Sequence, residues 1–321
     1  MKLLYFIGAY AGTEIVSRQI ERLGANGAQF VIHVDARRDD TFTELRARHG
    51  ANPRVHFLEH RRKIFWGQPG YLFSILDSIH YAIEQRLDFD VATLLSDSCY
   101  PLRPISAIED WFRAHPGKNF IDIAHRDKDP HVWSNWGPPS SMRTRMEHWH
   151  LMFHTRMVAR IPLKRRLPLG HEPYVGWLWW SLTREAVTYL DEFFAANPRY
   201  IAFLKRTYSP DEFIFQTVLM NSPLRETLVN DNLRYLHPPT EEIPFTNFIR
   251  EISEPDLPTV LASSALIARK VKTIALAETI DRLAPSATAL TARNPDKRAA
   301  PLPSWSLPKA ESLRKPRRVE A

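Results

Sequence analysis

Two adjacent carboxylates stand at the head of an apolar segment. Ser209-Pro210-Asp211-Glu212 runs directly into Phe213, Ile214, Phe215, Val218, Leu219 and Met220. The order predicts a helix start. Ser209 is a favoured N-cap residue, Pro210 suits the first helical position, and Glu212 stands where a capping box is closed. The helix that follows is apolar nearly all round, which predicts burial. Carboxylates at the mouth of such a helix can cap backbone N–H groups, or they can take a proton from a substrate. The four residues alone leave both readings open.

Other positions offer chemistry for a polar or anionic ligand. His33-Val34-Asp35 ends an apolar stretch. Asp35 there can accept from a ribose hydroxyl or a base N–H, or simply form the turn after a strand. Leu94-Leu95 breaks into Ser96-Asp97-Ser98-Cys99-Tyr100-Pro101-Leu102, a polar turn suited to face a nucleotide. A divalent cation that bridges a diphosphate is usually held by an Asp-x-Asp pair at such a strand end. The turn offers only Asp97. Asp88-Phe89-Asp90 precedes its strand, and Asp127-Lys128-Asp129 carries a Lys between its acids, so no metal site is expected. Arg269-Lys270, with Lys272 close by, falls near the end of a run that reads as an apolar helix. Such cations are ordinary partners of a helix dipole, and they also suit a diphosphate leaving group that lacks a metal.

Trp133, Trp136, Trp149, Trp177, Trp179 and Trp180 cluster in the sequence. Aromatic faces stack on sugar rings or pack in cores. Trp136 and Trp179, with Arg143 and Arg145, are the candidates for the acceptor side. His148, His150 and His154 lack nearby carboxylate partners and read as structural or acceptor-facing. The chain has no Gly-x-Ser-x-Gly, no Walker loop, no His-Glu-x-x-His and no paired cysteine. Hydrolase, NTPase and zinc chemistry therefore lack a starting point.

The elements that must position these residues alternate. Residues 2–7, 29–34, 55–59, 91–95 and 119–123 read as strands, and residues 13–23 and 71–85 have helical spacing. Alternation of this kind predicts an α/β fold with a mostly parallel sheet flanked by helices. Ligands of such sheets bind at the carboxyl ends of strands, where Asp35, the turn at 96–99 and His125 would meet. Residues 127–173 are rich in Pro, Trp, His and Arg and read as a long, partly helical excursion beside the site. Residues 174–182 read as strand, 184–197 as helix and 255–273 as one helix.

At 321 residues and 44% hydrophobic, the chain can bury a sizeable core. No apolar run reaches the roughly 18 residues of a membrane span. The first residues superficially resemble a signal peptide but continue into an amphipathic segment and a second strand, so secretion is not expected. One cysteine, Cys99, permits no intrachain disulfide and suits a reducing cytoplasm. Residues 285–321 hold eight Lys/Arg and three acids, so this segment carries +5 of the net +7. The reading is therefore a domain over residues 1–284 and a disordered, basic, Pro-rich tail over 285–321. The folded body is nearly neutral, which argues against nucleic-acid binding. The tail could touch anionic lipid from the inner membrane face, or have no partner.

Taken in order, these segments resemble the family of core-2/I-branching β-1,6-N-acetylglucosaminyltransferases and peptide O-xylosyltransferases. The matching pieces are His33-Val34-Asp35, Trp66-Gly67, residues 94–102, the run Gly176-Trp177-Leu178-Trp179-Trp180-Ser181-Leu182-Thr183-Arg184, Ser209-Pro210-Asp211-Glu212 with its helix, and Ala268-Arg269-Lys270. The resemblance implies a GT-A-like nucleotide-sugar-binding domain and an inverting, metal-independent transferase with a UDP-sugar as co-substrate and no other cofactor. It implies that Glu212, beside Asp211, is the general base toward a carbohydrate acceptor hydroxyl. It implies that Lys270, with Arg250 or Arg269, neutralises the departing diphosphate; Asp35, Ser96 and Asp97, from their places at strand ends, are the other donor-facing candidates. N-acetylglucosamine is the expected sugar. Xylose is the nearest alternative, and a non-catalytic carbohydrate- or nucleotide-binding protein is the alternative of another class. Two positions depart from the family pattern: Cys99 stands where an Asp is frequent, and Val271 where a Phe is usual.

Overall fold

A computed structural model of the chain describes residues 1–129, 139–237 and 249–284. The readings made for Trp133, Trp136 and the segment 285–321 lie outside these described residues.

The first half alternates as the pattern predicts: β1 (Leu3–Ala9), α1 (Thr13–Gly24), β2 (Gln29–Val34), α2 (Asp39–His49), β3 (Val55–Phe57), α3 (Gly70–Glu84) and β4 (Val91–Ser96). A turn leads to β5 (Cys99–Pro101), α4 (Ile105–Ala114), β6 (Asn119–Ile121) and the short β7 (Ala124–His125). Then come α5 (Pro139–Glu147), β8 (Trp149–Phe153), β9 (Arg156–Ile161), β10 (Tyr174–Val175) and β11 (Trp180–Thr183). α6 (Arg184–Ala196), α7 (Pro198–Leu204), a 3-10 turn at Pro210–Glu212 and α8 (Ile214–Met220) follow. The described chain closes with β12 (Leu228–Asn230), β13 (Arg234–Leu236), α9 (Leu257–Ala262), β14 (Ile267–Arg269) and α10 (Ile274–Leu283).

Seven strands form the main sheet in the order β12-β6-β11-β4-β1-β2-β3. β1 and β4 are buried almost throughout, which is why their sequences are unbroken apolar runs rather than alternating ones. α1 buries Ile15, Val16, Ile20 and Leu23, one face of a helical period. The sheet is parallel except at β11, which runs antiparallel between β4 and β6. Register fixes the working edge. Ala9 pairs with Val34 and Gly8 with Ser96, so the carboxyl ends of β1, β2 and β4 lie side by side. The Asp35 N–H bonds to Ala9 O at 2.9 Å and the Asp97 N–H to Gly8 O at 3.1 Å, drawing both acids to that edge. A second sheet, β13-β14-β5, covers a smaller core of Tyr100, Leu102, Val260, Ala268 and Ile280.

Four sequence readings need correction. Residues 255–273 are not one helix: α9 ends at Ala262, Ser263 turns extended, and residues 267–269 form β14. Ile267 and Ala268 fit either period, and pairing to β13 on one side and β5 on the other decides for strand. The predicted strand over 174–182 splits into β10 and β11, because the Gly176 and Trp177 N–H groups bond to Glu212 O and the Asp122 carboxylate instead of a ladder. The excursion holds a hairpin, β8–β9, where only partial helix was expected. Finally, Ser209 closes no capping box. It sits in the left-handed region at φ 45° with no side-chain cap, and Phe213 at φ −148° separates the 3-10 turn from α8. α8 itself is buried along its whole length, as its sequence predicts.

Candidate active site

The Asp211–Glu212 turn makes no side-chain cap at Ser209. It is fastened through its backbone. Ser209 N–H donates to Gly67 O at 2.9 Å, and Gly176 N–H donates to Glu212 O at 3.0 Å. Both glycines are required. Gly67 has φ 75°, and a Cβ there would lie 2.4 Å from the Tyr208 ring. A Cβ at Gly176 would lie 2.0 Å from Asp122 O. Trp66-Gly67 and Gly176-Trp177 thus clamp the acid turn from two sides. Glu212 forms an ion pair with Arg145 of α5, whose guanidinium also covers the Tyr208 ring at 5.4 Å. Desolvation, reinforced by the neighbouring Glu212 charge, pushes the Asp211 pKa up to about 7. One of two adjacent carboxyls therefore titrates near neutrality.

A cation cluster lies at the carboxyl end of β4. The antiparallel register of β14 on β5 sets Arg269 opposite Cys99. The Arg269 guanidinium donates to Ser96 Oγ and, at 2.7 Å, to Ser98 Oγ, and it stacks on Trp179 at 4.4 Å. Lys270 is held by its backbone, its carbonyl accepting from Ile252 N–H at 2.9 Å, while Val271 N–H donates to Ser98 O at 2.9 Å. Burial, and then the charges of Arg269 and Lys272, hold the Lys270 ammonium below its ordinary pKa. Among the described residues Lys270 forms no ion pair. Asp97 accepts from the Tyr10 and Ala11 N–H groups, both at 2.9 Å, closing the β1–α1 loop over this turn.

One residue lies between the two clusters, and nothing local along the chain marks it. Tyr71, in the first turn of α3, buries its hydroxyl with no hydrogen-bond partner among the described residues. Desolvation raises its pKa, opposed by the charge of Arg269 and reinforced by those of Asp97 and Asp211. Its ring packs so closely on β1 that a Cβ at Gly8 would lie 2.6 Å from it.

The remaining candidates are placed as follows. Asp35 is fully buried. Desolvation works against its charge, but the Arg37 guanidinium and the Arg37 and Ile64 N–H groups outweigh it and hold the carboxyl below its usual pKa. Arg37 is a second partner that sequence reasoning missed, two residues away in plain view. The Arg250 guanidinium pairs with Asp256 at 2.8 Å, where Asp256 closes the capping box of Ser253. Arg143 pairs with Asp127 at 2.8 Å on an exposed rim. Trp179 is buried, with one face under Arg269. Among the described residues no three His, Cys, Asp or Glu side chains group to hold a metal ion. Asp127, the first acid of the 127–129 pair, is engaged by Arg126 and Arg143.

A clamped carboxylate pair next to a cluster of fixed cations is the equipment of a group-transfer enzyme. Such an enzyme removes a proton from a nucleophile and receives an anionic leaving group. The comparisons with known proteins name the family. The Core-2/I-branching enzyme family matches residues 5–260, and the chain belongs to it. It is similar to the protein named Xylosyltransferase oxt of Drosophila melanogaster, 24% identical over 224 residues, 68% of this chain and 24% of that protein. It is similar to Xylosyltransferase 2 of Homo sapiens, 29% identical over 209 residues, 64% of this chain and 23% of that protein. The similarity thus spans about a quarter of the length of these relatives.

Proposed function

We propose that the protein is an inverting glycosyltransferase of GT-A-like fold. It moves a sugar, N-acetylglucosamine in the first reading, from a UDP-sugar to a carbohydrate hydroxyl. Glu212 takes the proton of the acceptor hydroxyl. The oxygen attacks the anomeric carbon, the bond from that carbon to the diphosphate oxygen breaks, and the electron pair leaves with UDP. Lys270 receives the diphosphate charge, with Arg269 fixed beside it by Ser96, Ser98 and Trp179. Asp35 and Asp97 shape the nucleotide edge of the sheet. Arg145 orients Glu212, and Arg143 lies on the acceptor rim.

The observation that carries this reading is geometric: the acid turn packs on α3, whose Tyr71 ring lies against Gly8, the ladder neighbour of Ser96, to which Arg269 is bonded, in a chain of this family. Fixed cations can do the work of a Lewis acid at the leaving group, so transfer is expected to persist in EDTA. Loss of transfer in EDTA with recovery on Mn²⁺ would overturn that part. Xylose is the second reading of the donor, favoured by the names of the two relatives, both xylosyltransferases. The deciding experiment measures UDP release from a panel of UDP-sugars with and without carbohydrate acceptors. Turnover with UDP-xylose alone would replace the first donor, and UDP binding without turnover on any donor would favour a binding protein.

A further inference from the structure

The hairpin β8–β9 is built inside out. Strands on a protein surface usually turn apolar residues inward and polar ones outward. In β8 the alternation is reversed. His150 is buried and its N–H bonds to Arg206 O at 3.1 Å, and Met152 beside it on the same face is half-buried. The alternate residues Trp149, Leu151 and Phe153 face solvent. Across the ladder and beyond it Val158, Ile161 and Leu163 are exposed as well. Of the eleven exposed large hydrophobic residues among the described ones, eight fall between positions 149 and 169. So dense an apolar patch marks a contact surface.

Charge says what covers it. No Asp or Glu occurs between Glu147 and Glu172, whereas Arg156, Arg160, Lys164 and Arg166 are exposed among the apolar residues. A second copy of the chain would bring these cations against their own kind. A bilayer with anionic headgroups satisfies both features at once: the apolar tip enters the acyl boundary, and the long cationic side chains reach back to the phosphates. Trp149, at the base of the hairpin, is of the type that favours that boundary. We propose that the outer face of β8–β9 docks the protein on an anionic membrane surface.

The hairpin is also fastened to the site. The Gln68 amide donates to His154 O at 2.5 Å, and the adjoining Trp66 packs edge-on against Tyr208 at 5.6 Å. A docked hairpin therefore holds the acid turn beside the bilayer. The proposal concerns where the protein rests and stands whether or not it transfers sugar, so its test reads binding rather than turnover.

The full-length protein is floated with phosphatidylcholine vesicles and with vesicles containing about a third phosphatidylglycerol. The expected result is flotation with the anionic vesicles. The Phe153→Ser/Val158→Ser double variant weakens partitioning at least about tenfold, the scale for two lost apolar insertions. Arg156→Glu/Lys164→Glu loses a similar factor on anionic vesicles. All four side chains are exposed, and thermal melts matching the parent confirm folding. Independently, Val158→Cys is labelled with a polarity-sensitive dye; Cys99 is buried and stays unlabelled. A blue shift on anionic vesicles supports the proposal. It is overturned if the hairpin variants float like the parent, which would assign binding to residues 285–321, or if the parent floats with neither vesicle. It is equally overturned if the dye shifts without lipid as the protein dimerises, or shifts with polyglutamate but not with vesicles.

Discussion

Asp35 and Asp211 are both acids at the working edge of the fold, and the protein treats them oppositely. Asp35 is enclosed at the end of β2, where the guanidinium and N–H of Arg37 and the N–H of Ile64 surround it with donors. Asp211 stands in an irregular turn, desolvated and beside Glu212, so its charge is opposed rather than matched. The first arrangement stabilises the fold. The second is tolerated by it, and carboxylates kept at a disadvantage are those that can exchange protons near neutral pH. The contrast teaches that the donor edge is built as structure, while the acid turn is maintained at a cost to stability.

The strongest way to break this contrast is to remove the proposed base. Glu212→Gln is expected to lower transfer at least about a hundredfold. The fold should survive, since the turn is held through the Glu212 carbonyl and no cap depends on the side chain. Near-normal turnover in a folded variant would show that Glu212 is not the base. Asp211→Asn should reduce turnover less.

At the other cluster, Lys270→Ala should weaken UDP binding by roughly 1.5–3 kcal/mol, the range for a charge-assisted hydrogen bond. Calorimetry decides, and unchanged UDP affinity would remove Lys270 from the donor site.

Melting curves at two pH values sharpen the comparison of the acids themselves. The Asp211 pKa is higher folded than unfolded, so its contribution to stability is full below about pH 4 and is lost as pH rises toward 7. Asp211→Asn should therefore stabilise the protein at pH 8, by something on the order of 2 kcal/mol after allowing for partial exposure, and change little at pH 4. For Asp35 the sign reverses. Its folded pKa is lowered, its contribution is present above the unfolded value and is lost as pH falls, and Asp35→Asn should destabilise the neutral protein. Equal signs for the two variants at pH 8 would refute the contrast.

The smallest expected effect concerns Tyr71. Tyr71→Phe removes a hydroxyl that has no partner among the described residues, so the melting temperature should stay level or rise slightly, by up to about 1 kcal/mol in stability. If the hydroxyl serves a bound substrate, turnover or UDP affinity falls while stability does not. A clear loss of stability would mean that the hydroxyl is satisfied within the fold.

Much of the frame was legible in the chain because β1, β2 and β4 are dense apolar runs and α1 and α3 keep a clean helical period. The acids at the strand ends were legible for the same reason, since a strand that stops at Val34 or Ser96 declares its edge. What the sequence hid were partners distant along it. Arg145 reaches Glu212 across 67 residues, and nothing local announces the pair. Arg269-Lys270 read as a helix end because only the neighbours β5 and β13 make that stretch a strand. The β8–β9 hairpin escaped notice because its one fully buried residue in β8 is His150 while Trp149, Leu151 and Phe153 face outward, which inverts the usual alternation. Ser209 misled in the opposite way: its local signal for a cap was good, and the clamp from Gly67 overrode it.

The reversed direction of β11 has a consequence for how the protein can vary. Thr183 pairs with Val91, and Arg184 N–H bonds to Asp90 O, so this strand finishes at the edge remote from the acids and cations. It is the segment leading into β11, through Gly176 and Trp179, that touches the site. Sequence drift, insertions or an attached tag at the Arg184 end would be free of chemical consequence, whereas a single added residue ahead of Trp180 would displace both the clamp on Glu212 and the platform under Arg269.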